Sequence, residues 1–198
     1  FIETVVNISK TFGGINLEDI KAPECFEIEK RIAAETDIPV MHDDQHGTAI
    51  ISGAALINAA ELQGKKLASI KVVVIGAGAS AIACANHYVA LGVKRQNILM
   101  CDSHGILTKN RLDKGELNEY KAAFAHDIPD GQLTDAIIGA DVLLGLSKGG
   151  LVSKDMVNKM ATKPIIFALA NAIFSDTAGL LLTESVNRSA ILPPHPVT

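Results

Sequence analysis

Two groups of residues in this sequence have types and spacings that chemistry can use. The first is the run Gly76-Ala77-Gly78-Ala79-Ser80-Ala81, placed between the β-prone stretch KVVVI and a small-residue helix that runs to about Leu91. A GxGxxA pattern alone is weak, but between a strand and a helix its glycines have a mechanical purpose. Gly76 permits the tight turn, Gly78 lets the main chain approach a pyrophosphate, and Ala81 keeps the helix close to the sheet. The free N–H groups of Ala79 and Ser80 then face the anion. Asp102 closes the next strand, 26 positions after Gly76. A carboxylate there accepts from an adenosine ribose hydroxyl and disfavours a 2′-phosphate, although His104, Lys109 and Arg111 lie near enough in sequence to complicate that preference. The competing readings are a close-packed turn without a ligand and a solvated turn acid.

The second group is acidic: Glu18-Asp19 in one turn and Asp43-Asp44 in another. Gathering four carboxylates raises their pKa values unless a cation sits among them. An oxygen-only set with positions left for water and substrate suits Mg²⁺ or Mn²⁺ better than zinc. Read from the residues alone, two unrelated solvated turns is the commoner arrangement for such pairs. His42 and His46 flank the aspartates at a zinc-like spacing, but Gly47 and the turn composition argue against the helix that spacing needs. The glycine-rich run Gly145 to Gly150 follows another strand, where open sheets place ligand loops. Asn171, after IIFALA, is positioned to offer an amide to nicotinamide or substrate, or simply to form a turn.

These residues need elements to hold them. A helix end in residues 1–12 breaks at Gly13-Gly14 before an acidic turn over residues 16–20. Pro23 starts a helix to about Glu35, and residues 38–41 form a short strand. After a polar knot over residues 42–47, Thr48 caps a helix to about Leu62 that is apolar nearly all round and so expected to be buried. Gly64 ends it. Strands at residues 71–75, 97–101, 141–144 and 165–170 alternate with helices at 79–91, 133–138 and 153–160. The polar stretch 103–130 reads as loop with one short helix near residues 116–125. That alternation predicts an α/β fold, a doubly wound and mostly parallel sheet. We expect three parts: residues 1–47 leading into the domain, 48–171 forming the nucleotide-binding domain, and 172–198 a divergent tail.

With 48% hydrophobic but 4% aromatic residues, and a mean hydropathy of +0.26, the chain is rich in small aliphatics, as helix-covered parallel sheets are. A net charge of −4 without a basic stripe argues against nucleic acid as a partner. No apolar run is long enough for a membrane span. Cys25, Cys84 and Cys101 form an odd set without CxxC spacing, which predicts inert buried thiols in a reduced, cytoplasmic setting.

Taken together, FGGINLEDIKAPECFEIE, IPVMHDDQHGTAII, VVVIGAGASAIA, CDSHG and IIFALAN resemble the bacterial-type malic enzymes, in order and spacing, from Phe1 to Asn171. The resemblance implies the Rossmann-like NAD(P)-binding portion of such an enzyme, truncated at both ends. It implies oxidative decarboxylation of L-malate to pyruvate and CO₂ with reduction of NAD or NADP, and a Mg²⁺ or Mn²⁺ ion acting as Lewis acid on the substrate C2 oxygen. Glu18, Asp19 and Asp44 would bind the metal and Asp43 would join the catalytic hydrogen-bond network. Gly76, Ala77, Gly78, Ala79 and Ser80 would hold the pyrophosphate, and Asn171 would contact nicotinamide and substrate. The family is expected to form homo-oligomers, as dimers. Its tyrosine acid and lysine base precede these motifs, so this chain alone is not expected to turn over. It also departs from the family's proline after ALAN, having Ala172 instead. Two other functions stay open: a metal-independent amino- or hydroxy-acid dehydrogenase, distinguished by activity that survives EDTA, and a non-catalytic nucleotide-binding or oligomerisation module.

Overall fold

The valine run anticipated as a strand lies inside a six-stranded sheet, and its residues alternate between two cores. The structure, a computed structural model, describes residues 1–169 and 191–192. In chain order its first elements are α1 (Ile2–Ser9), β1 (Ile15–Leu17), α2 (Glu24–Glu35), β2 (Val40–His42) and α3 (Asp43–Gln63). The nucleotide-turn unit follows as β3 (Val72–Ile75), α4 (Ala79–Ala90) and β4 (Ile98–Asp102). Beyond it come β5 (Gly105–Ile106), α5 (Lys109–Asp113), α6 (Glu119–Ala122), α7 (Leu133–Ala136), β6 (Val142–Gly145), α8 (Lys154–Asn158), β7 (Ile165–Ala168) and β8 (Ile191–Leu192). The sheet order is β5-β4-β3-β6-β7-β8, parallel except for the antiparallel pair β4–β5. Chain order therefore reverses at β3, with β4 on one side and β6 on the other, and ligands of open sheets bind beyond the strand ends at such a switch point.

Helices cover both faces, so the strands are apolar without interruption. Val72, Val74, Met100, Leu144 and Phe167 pack with Leu56, Ala60, Ala85 and Tyr88 of α3 and α4. Val73, Ile75, Leu143 and Ile166 pack on the other side with Ala136, Ile137 and Met156. Each fully buried Val or Ile contributes about 1.5–3 kcal/mol. Asp141 aligns the strand starts: its carboxylate accepts from Lys71 N (2.9 Å) and from Lys65 Nζ (2.6 Å). The doubly wound α/β expectation is borne out.

Four local expectations are corrected. Residues 15–17 are strand, not turn, because β1 pairs in parallel with β2. Helix α3 starts at Asp43 rather than Thr48, since Asp43 and Asp44 suit a helix N-terminus and Glu29 fastens the first turn from α2. That helix is not buried all round: Ile50 and Ile51 are 59% and 56% exposed. Between residues 103 and 130 the chain forms β5, α5 and α6, where one helix was anticipated.

Among the described residues no helix is long and apolar enough to cross a membrane. All three cysteines are free and buried, as expected. Burial pushes the Cys84 thiol up to about 11. Burial, with the Asp102 charge beside it, pushes Cys101 up to about 12.

Candidate functional site: a nucleotide cleft beside an acidic corner

The glycine turn is fixed by main-chain atoms. Gly76 has φ +119°, which L side chains rarely adopt. Its N–H donates to Cys101 O of β4 (2.8 Å), while Leu146 N, just after β6, donates to Ile75 O (2.9 Å). A Cβ on Gly76 would come within 3.3 Å of the Leu146 carbonyl oxygen. The turn is thus wedged between two neighbouring strand ends. Gly78 caps α4 in an extended conformation, without a side-chain cap. A Cβ there would meet nothing within 4 Å, so the main chain presents an open approach to the helix N-terminus and its partial positive charge.

This approach opens into a cleft of about 410 Å³ lined by Gly76, Ala77, Gly78, Asp102, Lys121 and Ser147, among others. Ser147 belongs to the glycine-rich run after β6, so that loop does border the cleft. Ala22 and Pro23 line it as well.

Asp102 sits at the predicted strand end, but its carboxylate is heavily engaged. Arg111 grips it in bidentate fashion, Nη1 to Oδ1 at 3.0 Å and Nη2 to Oδ2 at 3.1 Å. His104 N donates to Oδ1 (2.9 Å) and Lys121 Nζ to Oδ2 (3.2 Å). A carboxylate has about four lone-pair sites, and four donors fill them. Burial alone would raise this acid; the Arg111, His104 and Lys121 donors outweigh it and bring Asp102 down to about 2. Arg111, 6% exposed, also donates to Glu116 and to the Gly105 and Ile106 carbonyls. Lys121 is held on α6, whose N-cap Asn118 accepts the Lys121 N–H (3.0 Å). Sequence reasoning missed Lys121 and Asn118, because no fixed spacing ties a residue 19 positions beyond Asp102 to its carboxylate. Arg111 was noted, but its grip depends on the β4–β5 hairpin, which was not foreseen.

The acidic corner is built by register. Leu17 of β1 pairs with His42 of β2, so Glu18 and Asp43, then Asp19 and Asp44, leave adjacent parallel strands at the same level. Asp19 adopts φ 57°, and its N–H donates to Asp44 Oδ2 (2.9 Å). Asp43 leans back over its own helix, and a Cβ at Gly47 would overlap its carboxylate. Glu29 holds the segment from α2, accepting from His42 N (3.0 Å) and Gln45 Nε2 (3.1 Å), with His46 Nε2 2.7 Å from its carboxylate. With His46 turned to Glu29, the His42/His46 pair offers no joint zinc site.

His42 itself is fully buried, and neither ring nitrogen has a hydrogen-bond partner among the described residues. Its Nδ1 lies 3.9 Å from Asp44 Oδ2. An unsatisfied buried polar group costs about 1–3 kcal/mol. Among the described residues no three His, Cys, Asp or Glu side chains already converge on one point. The donor set still fits a hard cation in chemistry and register, and Glu18 and Asp19 are exposed, so their rotation disturbs no packing. Asn171 and the predicted tail lie outside the described residues.

A glycine turn, an N-terminal helix end and a cleft at the switch point define a dinucleotide-binding α/β protein. A family model for "Malic enzyme, NAD binding domain" matches residues 45–178. The chain belongs to the malic enzyme family, in its NAD-binding domain. It is 53% identical to a probable NADP-dependent malic enzyme of Rickettsia prowazekii and 50% identical to an NAD-dependent malic enzyme of Rhizobium meliloti. Each match covers 86% of this chain and 22% of the relative. The crystal structure of an NAD-dependent malic enzyme from Thermotoga maritima superposes with a TM-score of 0.84 at 39% identity, over 96% of this chain and 51% of that one. The chain therefore spans only a part of these relatives.

Proposed function

We propose that this chain carries the nucleotide cleft and acidic corner of an enzyme that oxidises and decarboxylates L-malate to pyruvate and CO₂, passing the C2 hydride to a nicotinamide cofactor. One observation carries the reading: the connection after β1 that bears Glu18 and Asp19 runs on to Ala22 and Pro23, which wall the cleft formed by Gly76 and Gly78. A hydride acceptor held by the turn then lies beside the groups suited to a hydroxy acid. Gly76 to Ser80 orient the pyrophosphate, and Asn171 is proposed to meet the nicotinamide. Asp43 is proposed to serve the catalytic hydrogen-bond network. Glu18, Asp19 and Asp44 would hold Mg²⁺ or Mn²⁺, which supplies Lewis acidity at the substrate's C2 oxygen.

The cofactor preference we infer is NADP. Asp102 has no lone pair left for a ribose hydroxyl, while Lys121 lines the cleft and contributes a positive charge where a 2′-phosphate would lie. A second copy of the chain is the proposed partner, supported by the apolar exposure of Ile50, Ile51 and Ile57 on α3. The cytoplasm is the proposed compartment, supported by three free buried thiols.

The test is malate-dependent reduction of NADP⁺ and NAD⁺ by the enzyme in its full length, with Mn²⁺ and after EDTA. Rapid reduction of NADP⁺ that EDTA abolishes is expected. Lys121→Gln should lose about tenfold or more of the NADP⁺ advantage. Activity that survives EDTA would instead favour a metal-independent dehydrogenase, and a marked NAD⁺ preference would overturn the cofactor assignment.

A further inference from the structure

His42 is the N-cap residue of α3, yet its ring caps nothing. Its backbone N–H is taken by Glu29 and its place in β2 is set by pairing with Leu17. Neither bond requires an imidazole. A fully buried ring with two unpartnered nitrogens is costly, and an apolar side chain would fill the same space without that cost. The carboxylate oxygen that comes within reach of it is Asp44 Oδ2, 3.9 Å from Nδ1. That same oxygen already accepts the Asp19 N–H.

We propose that His42 is the positioning residue for Asp44. With a proton on Nδ1 it donates to Oδ2, so that Asp19 N–H and His42 Nδ1–H together hold that oxygen on the protein side. The other carboxylate oxygen is then directed outward to the divalent cation. Carboxylates that ligate metals are ordinarily oriented by such outer partners, and losing one costs about 10- to 100-fold in affinity. The short approach from 3.9 Å requires only a rotation of Asp44, whose side chain is partly exposed. The proposal rests on the metal-binding reading of this corner.

The test is titration of the full chain with Mn²⁺, followed by the free-ion electron paramagnetic resonance signal, alongside thermal unfolding in EDTA. Four proteins are compared: wild type, His42→Asn, His42→Phe and Asp44→Asn. The asparagine keeps an N–H donor near the Nδ1 position; the phenylalanine fills the space without one. The expected result is Mn²⁺ affinity within about threefold of wild type for His42→Asn and about 10- to 100-fold weaker for His42→Phe. In EDTA, His42→Phe should melt at or above the wild-type temperature. The proposal fails if His42→Phe binds Mn²⁺ as wild type does while Asp44→Asn does not. It fails equally if His42→Asn is as weak as His42→Phe, or if weakened binding comes with a lowered melting point, which would make the ring a mere filler. Absence of any Asp44-dependent Mn²⁺ binding in wild type would bring down the metal reading itself, and this inference with it.

Discussion

The two halves of the candidate site are built by different means. At the nucleotide turn every constraint is main chain: Gly76 N–H to Cys101 O, Leu146 N–H to Ile75 O, and a φ of +119° that the strand ends enforce. In the acidic corner main-chain register only sets the level, and side chains do the rest: Glu29 holding His42 N and Gln45 Nε2 with His46 beside it, and Asp44 reaching to Asp19 N. The contrast follows from what each half is proposed to bind. A pyrophosphate is large and is met by dipoles and N–H groups in a fixed curve. A cation needs charged oxygens, which repel one another until it arrives, so their backbone can be aligned in advance while their carboxylates stay apart. On that proposal one half is finished by folding and the other by its ligand.

The largest test of this contrast is Gly76→Val. A β-branched residue would be forced to φ +119° and driven onto the Leu146 main chain, where no rotamer relieves it. We expect a loss of about 4 kcal/mol, adding backbone strain to overpacking, and no measurable NADPH binding by calorimetry. Wild-type stability in this variant would show that the turn is soft.

Arg111→Met comes next. It leaves buried Asp102 without its bidentate partner, and chemical denaturation should show a loss of about 3 kcal/mol. The pH dependence gives an independent reading. The folded state holds Asp102 at about 2 against an ordinary 3.8, so its stabilisation, about 2 kcal/mol, is complete above pH 4 and disappears as pH falls toward 2. In Arg111→Met that slope between pH 4 and pH 2 should flatten. An unchanged slope would mean that Lys121 and the His104 N–H hold the carboxyl low without the guanidinium.

What could be read from the sequence divides along the same line. The turn was legible because its requirements are local: Val72 to Ile75 buried on both faces, then glycines at offsets that only backbone geometry explains. The acidic residues were legible as types, and the resemblance gave them roles. Their register was not, because the pairing of Leu17 with His42 joins segments 25 residues apart, and no periodicity in either reveals it. The start of α3 was misplaced for the same reason: Gly47 and the charges of residues 42–46 look like a loop until Glu29 is brought in from α2. The saturation of Asp102 was hidden by the unforeseen hairpin that brings Arg111 back to it.

Glu29→Gln probes that outside support and should have a moderate effect. An amide keeps one accepting oxygen but turns an NH₂ group toward donors, at a cost of about 1–2 kcal/mol. Hydrogen exchange should rise in the first turn of α3 more than elsewhere. Uniform exchange across the helix would mean that Glu29 does not fasten the turn.

Gly47→Ala has the smallest expected effect on stability and draws the contrast most sharply. Gly47 lies inside α3, where alanine is favoured over glycine by about 1 kcal/mol. The added Cβ would overlap the Asp43 carboxylate, but Asp43 is only half-buried, and its side chain can swing away at a modest rotamer cost. The two effects should nearly cancel, leaving stability within about 0.5 kcal/mol of wild type. If Asp43 has its proposed role, malate-dependent turnover by the full-length enzyme should nevertheless fall, because the added Cβ displaces Asp43 from the space the glycine leaves for it. Gly76 and Gly47 are thus the same residue used for opposite purposes, one to free the backbone and one to make room for a side chain. If Gly47→Ala proves as destabilising as Gly76→Val, the acidic corner is as rigidly framed as the nucleotide turn, and its carboxylates are fixed by folding rather than by the proposed cation.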